Sequence, residues 1–499
     1  MANLSHKGRQ RIYTDEKIIT SDNVRKIVAD AIIIHERNAM DIKTLFDIEK
    51  NYQVLVREKQ IRPEIDIVAV DPIASQIVDF KQGYEHGTPI NYVQRANIDS
   101  SNSDGDKSEI KKDDLRIATL NEMMRECKKA TKDNQLARNI KTCGVGYRYI
   151  VPKRNTRGIS PFEIYILNPL RTFMIYSNDV YCEPVAAVTY TVNGTTQNKT
   201  FGVWTKDFYF EFDSSDTKSG ISAESNIIGL IPIVEYINNY DFMGSFEKEI
   251  PLIDAYNVVT SDRVNDICQQ VQSILWLHNT KLDEQQKEKL VDGGVIQTQA
   301  NADGKEAKIQ YVNAPLRQSD VQTLANSLKE RILESAGVPK LSESNNSTGD
   351  AMRVTNGWHT AETQAKTSEL TWRESEDATL EVCLEIIRNS KDIPNDVGSL
   401  KLSDIDYDMH RSENYDIISR VNAFVTLTDR GFDLAKSAQY CKITDDPLQF
   451  VIDSEENVNK IRFSSVSKDE TQASDNPDNN IVDIENKTEE SIQPKTLKV

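Results

Sequence analysis

Three short constellations in the sequence carry residue types that could do chemistry. His359 and Glu362, in the string HTAE, are three residues apart and share a helical face, as a pair of metal ligands would. Asp262 and Asp266 lie one helical turn apart and could hold a divalent cation. Gly144 to Tyr147 reads GVGY, the opening of a phosphate-cradling loop. Each also has a plainer reading. A charged helix face in water accounts for the first two, since Arg263 flanks the aspartates and no third ligand joins them. GVGY lacks the third glycine and opens a strand.

No Walker-type G-x-x-x-x-G-K, G-x-G-x-x-G, H-E-x-x-H or G-x-S-x-G string occurs. The histidines (His6, His35, His86, His278, His359, His410) stand singly. The cysteines (Cys127, Cys143, Cys182, Cys268, Cys383, Cys441) show no C-x-x-C and no Cys/His pairing, which fits reduced, mostly buried thiols rather than a disulfide framework or a zinc site. An enzyme is therefore the poorer hypothesis, and no catalytic residue, metal or cofactor is expected.

The elements that must position any site follow from length, charge and periodicity. The chain has 499 residues, enough for about three domains. It is 38% hydrophobic and 28% charged, with a formal net charge of −18. A protein that grips DNA by neutralising phosphates is normally basic, so any DNA contact here should be loose, repulsive or local. No apolar run approaches the roughly 20 residues that span a bilayer. The opening MANLSHKGRQR has no apolar core after its basic residues, so no signal peptide and no membrane are expected, and the cytoplasm is the expected place of synthesis and residence.

Residues 21–55 read as helical, with Ser21 as cap and Val24, Ile27, Val28 and Ala31 on the buried side. An extended stretch, a helix over Ile73–Phe80, a turn on Gly83 and Gly87 and a short strand follow. Asn97–Asp114 is polar and of low complexity and is read as a flexible loop. A helix is expected over Asp114–Cys143. Between Val145 and Tyr236 the period changes: VGYRYIVP, PFEIYIL, TFMIYS, AAVTYTV, TFGVWT, FYFEF and IPIVEYI are strand-like runs. Tyr147, Tyr149, Tyr165, Tyr176, Tyr190 and Trp204 lie among them. They could stack nucleic-acid bases, but no basic residues accompany them, which favours core and cross-strand packing.

From Phe246 to Glu376 the pattern is helix, small insert, helix, short polar loop, very long helix. The first helix, Pro251–Trp276, carries Ile253, Tyr256, Val264, Ile267, Val271 and Ile274 on one stripe; the second, Arg317–Ala336, carries Val321, Leu324, Leu328 and Ile332. Single stripes on polar helices suit a ring wall around a wet lumen, and an ordinary helical hairpin equally well. Within the insert, KLDEQQKEKLV reads as a short charged helix, and VIQTQ with KEAKIQYV as a β-hairpin. Residues 338–352 form a linker, with Ser347 or Thr348 available as a cap. Asp350–Asn389 keeps helical spacing over roughly forty residues, or about 60 Å. A strand-like LKLSDIDYDMH, helices over Glu413–Leu427, Asp429–Cys441 and Asp446–Ile461, and an acidic tail after Ser464 read as disordered complete the chain.

Six strings now fall in a recognisable order. They are GYEHGTPINY, CGVGYRYIVP, ISPFEIYILNPLRTFMIYSND, IGLIPIVEYINN, FMGSFEKEIPLIDAYNVVTSDRVND and STGDAM. In order and spacing, from about residue 20 to 460, the chain resembles the portal proteins of tailed bacteriophages, in particular the portal family common in phages of Gram-positive hosts. The 97–114 insert and the acidic tail depart from that pattern. The resemblance implies an α+β, mainly helical portal fold that forms a ring, usually of twelve subunits, at one capsid vertex, assembled in the host cytoplasm. It implies a wing (1–250, with the long wing helix 350–395), stem helices (251–277 and 316–338), a clip (278–315), a tunnel loop (339–349) and a crown (396–464), with the disordered tail at 465–499. It places Lys340, Ser342, Ser344, Asn345, Asn346, Ser347, Thr348 and Gly349 beside double-stranded DNA in the channel. Lys281, Glu284, Lys287, Lys289, Asp303, Lys305 and Lys308 would lie on the clip, where the large terminase subunit and later head-completion or adaptor proteins dock. Major capsid and scaffolding proteins are the other implied partners. Twelve copies at −18 carry about −216 formally, which would let DNA slide without sticking. The rival readings are a capsid or head-completion protein without a channel, and a metal-dependent phage hydrolase or nuclease.

Overall fold

Strand alternation and helix stripes organise the chain into two units, residues 1–412 and 413–499. A computed structural model describes residues 4, 8–52, 66–95, 107–153, 158–214, 221–271, 274–278, 308–312, 318–340, 357–391, 393–409, 411, 417–441, 443–444 and 454. The architecture is α+β and mainly helical.

In chain order the first unit runs β1 (Ile12–Thr14), α1 (Val24–Glu49), α2 (Ile73–His86), β2 (Asn91–Gln94), α3 (Lys107–Glu126) and α4 (Lys129–Cys143). Then come β3 (Val145–Pro152), β4 (Phe162–Leu167), β5 (Thr172–Ser177), β6 (Pro184–Val192), β7 (Lys199–Trp204), β8 (Phe208–Asp213), β9 (Ser222–Ser225) and β10 (Ile233–Ile237). It closes with α5 (Ile250–Val271), β11 (Ile274–His278), β12 (Lys308–Val312), α6 (Gln318–Ser335), α7 (Trp358–Arg388) and β13 (Ile405–Asp408). The second unit contains α8 (Ile417–Asp429) and α9 (Leu434–Tyr440), with Asp433 capping α9 by accepting from the Lys436 amide at 2.9 Å.

One sheet runs β1-β5-β6-β7-β8-β9, with β1 parallel to β5 and the other pairs antiparallel. Alternation sends Phe173 and Ile175 of β5 to one face, where Val24, Ile27, Val28 and Ala31 of α1 cover them. Met174 and Tyr176 point the other way, into a second core shared with Ile233 of β10, Ile253 of α5 and Ile332 of α6. A second sheet, β10-β3-β4, packs with α3, α4 and α7 into the largest core, around Leu120, Leu136, Phe162, Tyr236 and Leu380. β2 pairs with β13, tying the residues after α2 to those after α7.

All seven strand-like runs became strands. Several helix expectations changed. α2 runs on through Gly83 to His86, because the Tyr84 ring finds a buried seat beside Phe80 and Trp358 (centroids 5.6 and 5.8 Å). Asp114–Cys143 is two helices, broken at Lys128, which takes the left-handed φ of +55°. The first of them begins at Lys107, inside the expected loop, where Lys, Glu and Ile are good helix formers. Residues 97–106 of that loop lie outside the described residues. Helix α1 is flanked by Asn23 rather than Ser21; the Asn23 side chain accepts from the Thr20 amide at 2.8 Å and donates to the Ile18 carbonyl at 2.9 Å. The described long helix begins after Gly357, held at φ +83°, and its 31 residues extend about 46 Å. Of the helix expected over Asp446–Ile461, Ser454 is described and is helical, while its other residues and the tail lie outside the described residues.

Candidate functional site

The site suggested by the sequence is the helical hairpin α5–α6 and its extensions. The two helices lie side by side, joined by a hydrogen bond from the Arg263 guanidinium to the Gln322 side-chain oxygen. The first helix stops at Val271, five residues short of expectation, and Ile274–His278 continues as strand β11. ILWLH is a short apolar run, which fits a strand as well as a helix turn. Its antiparallel partner is β12, with Ile274 opposite Val312 and His278 opposite Lys308. KIQYV is thus a strand, as read from sequence, but it pairs with the continuation of α5. VIQTQ, assigned to it from sequence, lies outside the described residues. Along the chain a strand thus follows α5, and its antiparallel partner precedes α6.

What fixes α5 to the rest of the unit is polar. Asn257, Ser261 and Asn265 recur every fourth residue and are fully buried. They face the extended segment 66–71. The Ile67 amide donates to Asn265 Oδ1 at 2.8 Å while Asn265 Nδ2 donates to the Ile67 carbonyl at 3.0 Å. Ser261 Oγ accepts from the Ala69 amide at 2.9 Å and donates to its carbonyl at 3.1 Å. Asn257 Oδ1 accepts from the Asp71 amide at 3.1 Å. Four helical residues rise about 6 Å and two extended residues about 6.6 Å, so the side chains match every second peptide group. The helix acts as a neighbouring strand. Of the apolar stripe, Ile253 is buried, but Ile267 is 46% exposed and so is Leu324 on α6, at 51%. Sequence reading found that stripe and missed the polar one, whose i, i+4, i+8 spacing was its only signal.

The base of α5 is clamped by a buried carboxylate. Glu247 accepts from the Gly8 amide (2.8 Å), the Arg9 guanidinium (2.8 Å) and the Gly244 amide (2.9 Å). The N-terminal segment is thereby bound to the start of the hairpin. Gly244 is required there, because a Cβ would sit 2.2 Å from the Thr142 carbonyl oxygen.

Helix α7 is held by a second buried network. Glu376 pairs with Arg148 of β3 at 2.8 Å and with Lys129 of α4 at 3.0 Å. Asp133 completes the set, 2.5 Å from the Lys129 ammonium and bonded to the other arm of Arg148. Tyr92 and Tyr236 hydroxyls donate to Glu376 at 2.6 and 2.9 Å. Burial alone would push the Glu376 carboxyl up; Arg148 and Lys129 outweigh it and hold the group well below the usual carboxylate range. Nearby, Lys141 joins Glu85 (2.6 Å), Asn238 (3.0 Å) and Ser368 (2.9 Å), tying α4, α2, β10 and α7 together.

Of the residues singled out for chemistry, Glu362 and Gly144 serve the scaffold. Glu362 accepts from Tyr84 (2.8 Å) and Arg411 (2.6 Å); burial disfavours its charge, yet these partners keep it below the usual range. His359 is exposed on the same helix, and Asp262 and Asp266 are exposed on α5. Among the described residues no three His, Cys, Asp or Glu side chains are grouped to hold a metal ion. Gly144 ends α4 at φ +87°, its amide donating to Ile140 at 2.8 Å, and β3 follows at once. Tyr147, Tyr176 and Tyr190 are buried, and Tyr149 packs on Trp204 with centroids 5.9 Å apart. Tyr165 is half-exposed.

Of the loop residues, Lys340 is described: its ammonium lies 3.4 Å from Glu330 and is nearly half exposed. Ser342, Ser344, Asn345, Asn346, Ser347, Thr348 and Gly349 lie outside the described residues. So do Lys281, Glu284, Lys287, Lys289, Asp303 and Lys305, while Lys308 opens β12.

No helix among the described residues is long and apolar enough to cross a membrane. A search of curated proteins matches none to this chain. A family model described as "Phage portal protein, SPP1 Gp6-like" matches residues 32–433, from within α1 through the second unit's first helix. That span contains the hairpin, the Glu376 network and all of α7, leaves out Gly8 and Arg9 of the Glu247 clamp, and covers most of the chain. The chain belongs to the phage portal protein family, structural proteins of the virion that sit at a capsid vertex and serve genome packaging.

Proposed function

We propose that this protein acts as one subunit of a ring, usually a dodecamer in such assemblies, whose lumen passes double-stranded DNA into the capsid and out again. In this reading α5 and α6 are the stem helices of 251–277 and 316–338, β11 leads into the clip at 278–315, and β12 lies near that clip's end. Residues 1–250 and 350–395 form the wing, 396–464 the crown, and 339–349 the loop that meets DNA. The observation that carries the reading is the hairpin: two neighbouring helices are joined in sequence to two paired strands, and α5 is pinned at its base by Glu247 and along its length by the Asn257-Ser261-Asn265 ladder. Such an element can project from its base while keeping a fixed tilt. The exposed Ile267 and Leu324 would become subunit contacts.

The clip charges Lys281, Glu284, Lys287, Lys289, Asp303, Lys305 and Lys308 are the docking set for the large terminase subunit and then for head-completion or adaptor proteins. Major capsid and scaffolding proteins meet the outer surface. The net charge of −18 per chain supports a lumen that repels DNA and touches it through few cations, with Lys340 as candidate. Deleting Ser342–Thr348 tests the assignment: rings should form as in the parent while DNA packaging into capsids falls at least tenfold. Loss of the rings themselves would make the loop structural, and unchanged packaging would remove it from the DNA path.

A further inference from the structure

The sheet β1-β5-β6-β7-β8-β9 has two unlike sides. On one, α1 covers Phe173 and Ile175 and turns a second stripe outward: Lys26, Ala29, Ile33, Arg37 and Met40, all exposed. Ile33 and Met40 are 55% and 62% exposed, and neither Lys26 nor Arg37 has an ion-pair partner among the described residues. On the other side, a cleft of about 550 Å³ opens between Met174 and Tyr176 of β5, β10 and α7. Its floor is apolar, with Met174 and Ile233, and its α7 wall presents Glu374, Ala378 and Glu381 on successive turns. All three are exposed, and neither carboxylate has an ion-pair partner among the described residues. Two cations also line the cleft, Lys206 and Arg11, the latter with its guanidinium 4.7 Å over the Tyr176 ring, and they are matched on the α1 side by exposed Asp30 and Glu36 beside the stripe.

We propose that in the assembled ring this cleft receives the outward stripe of α1 from the neighbouring copy of the chain. Ile33 and Met40 would enter over the apolar floor, and Lys26 and Arg37 would meet Glu374 and Glu381. A closed ring is built from heterologous contacts, so each subunit needs two different, complementary patches facing opposite ways. The strand alternation of β5 supplies that opposition: α1 lies against Ile175 and the cleft against Met174. The charges agree, since the stripe is cationic around an apolar centre and the α7 wall is anionic around an apolar floor. The volume suits a row of side chains.

The proposal rests on the ring reading, and charge reversal separates the two. Arg37→Glu, and Glu374→Arg with Glu381→Arg, should each lower the ring fraction at least tenfold by mass photometry. Combining all three substitutions should restore it to within about twofold of the parent. Every changed residue is exposed, so melting temperatures should stay at the parent's value; Met40→Asp provides an independent break of the apolar half. A parent chain that forms no rings overturns the ring reading and this contact together. Rings that persist through either reversal, or a combined variant that fails to recover, overturn this contact alone.

Discussion

The guanidinium of Arg148 lies 2.8 Å from the carboxylate of Glu376, and neither side chain reaches solvent. Arg148 sits in the middle of β3 and Glu376 in the middle of α7, 228 residues further along the chain. The whole hairpin is inserted between them. The pair therefore closes the scaffold on which the hairpin stands. Its worth lies in geometry, because desolvating two charges costs about as much as their attraction returns.

Removing one partner should be far more damaging than the pair is stabilising. Glu376→Ala leaves Arg148 and Lys129 buried with Asp133 as their one remaining counter-charge in the network, and a loss of about 3–5 kcal/mol is expected by denaturant unfolding. Glu376→Gln keeps the hydrogen-bond acceptor and should lose less. A change below about 1 kcal/mol for the alanine variant would mean that water reaches the site.

Histidine protonation should set an acid limit on stability. Burial lowers the His35 pKa to about 4, with its ring stacked 4.5 Å from Phe173 and Nε2 bonded to the Leu170 carbonyl. The folded state thus resists a proton that the unfolded chain accepts near its ordinary value of about 6.5. Stability from this group is present above pH 6.5, is lost as pH falls from 6.5 to 4, and changes no further below. The loss is on the order of 2–3 kcal/mol. Urea midpoints across that range should rise with pH, with a shallower slope in His35→Phe.

The ladder on α5 makes a local prediction. Asn265→Ala strips both partners from the Ile67 peptide group, and an expected cost of about 1–3 kcal/mol follows from leaving them unpaired. Hydrogen exchange should speed up at Ile67 and Ala69 while the β3 amides stay protected. Uniform acceleration everywhere would show that the segment is part of the global core.

Lys340 offers a contrasting case. Its pair with Glu330 is solvent-exposed at 3.4 Å, so Lys340→Ala should shift stability by no more than about 0.5 kcal/mol. Ring formation should be unaffected. A larger shift would place the side chain in a structural role that its exposure does not suggest.

Local pattern made much of this fold legible. Strand runs such as TFMIYS and VGYRYIVP alternate or are β-rich throughout, and each became a strand. The stripe Val24-Ile27-Val28-Ala31 gave the buried side of α1. What stayed hidden was tertiary and polar. Arg148 in a strand and Glu376 on a helix look like surface charges until the fold brings them together. Asn257, Ser261 and Asn265 look like a wet face because their partner is a backbone with no side-chain signature. The break at Lys128 had no glycine or proline to announce it, and Gly83 suggested a turn where packing of Tyr84 kept the helix intact. The start of the strand ILWLH, Ile274 to Trp276, reads as helix from sequence because short apolar runs do not distinguish the two periods.

A channel-forming subunit must close on copies of itself around a hole. Negative-stain microscopy should show rings with a central opening wide enough for duplex DNA, about 20 Å or more. A monodisperse monomer, or a closed particle without an opening, would contradict it.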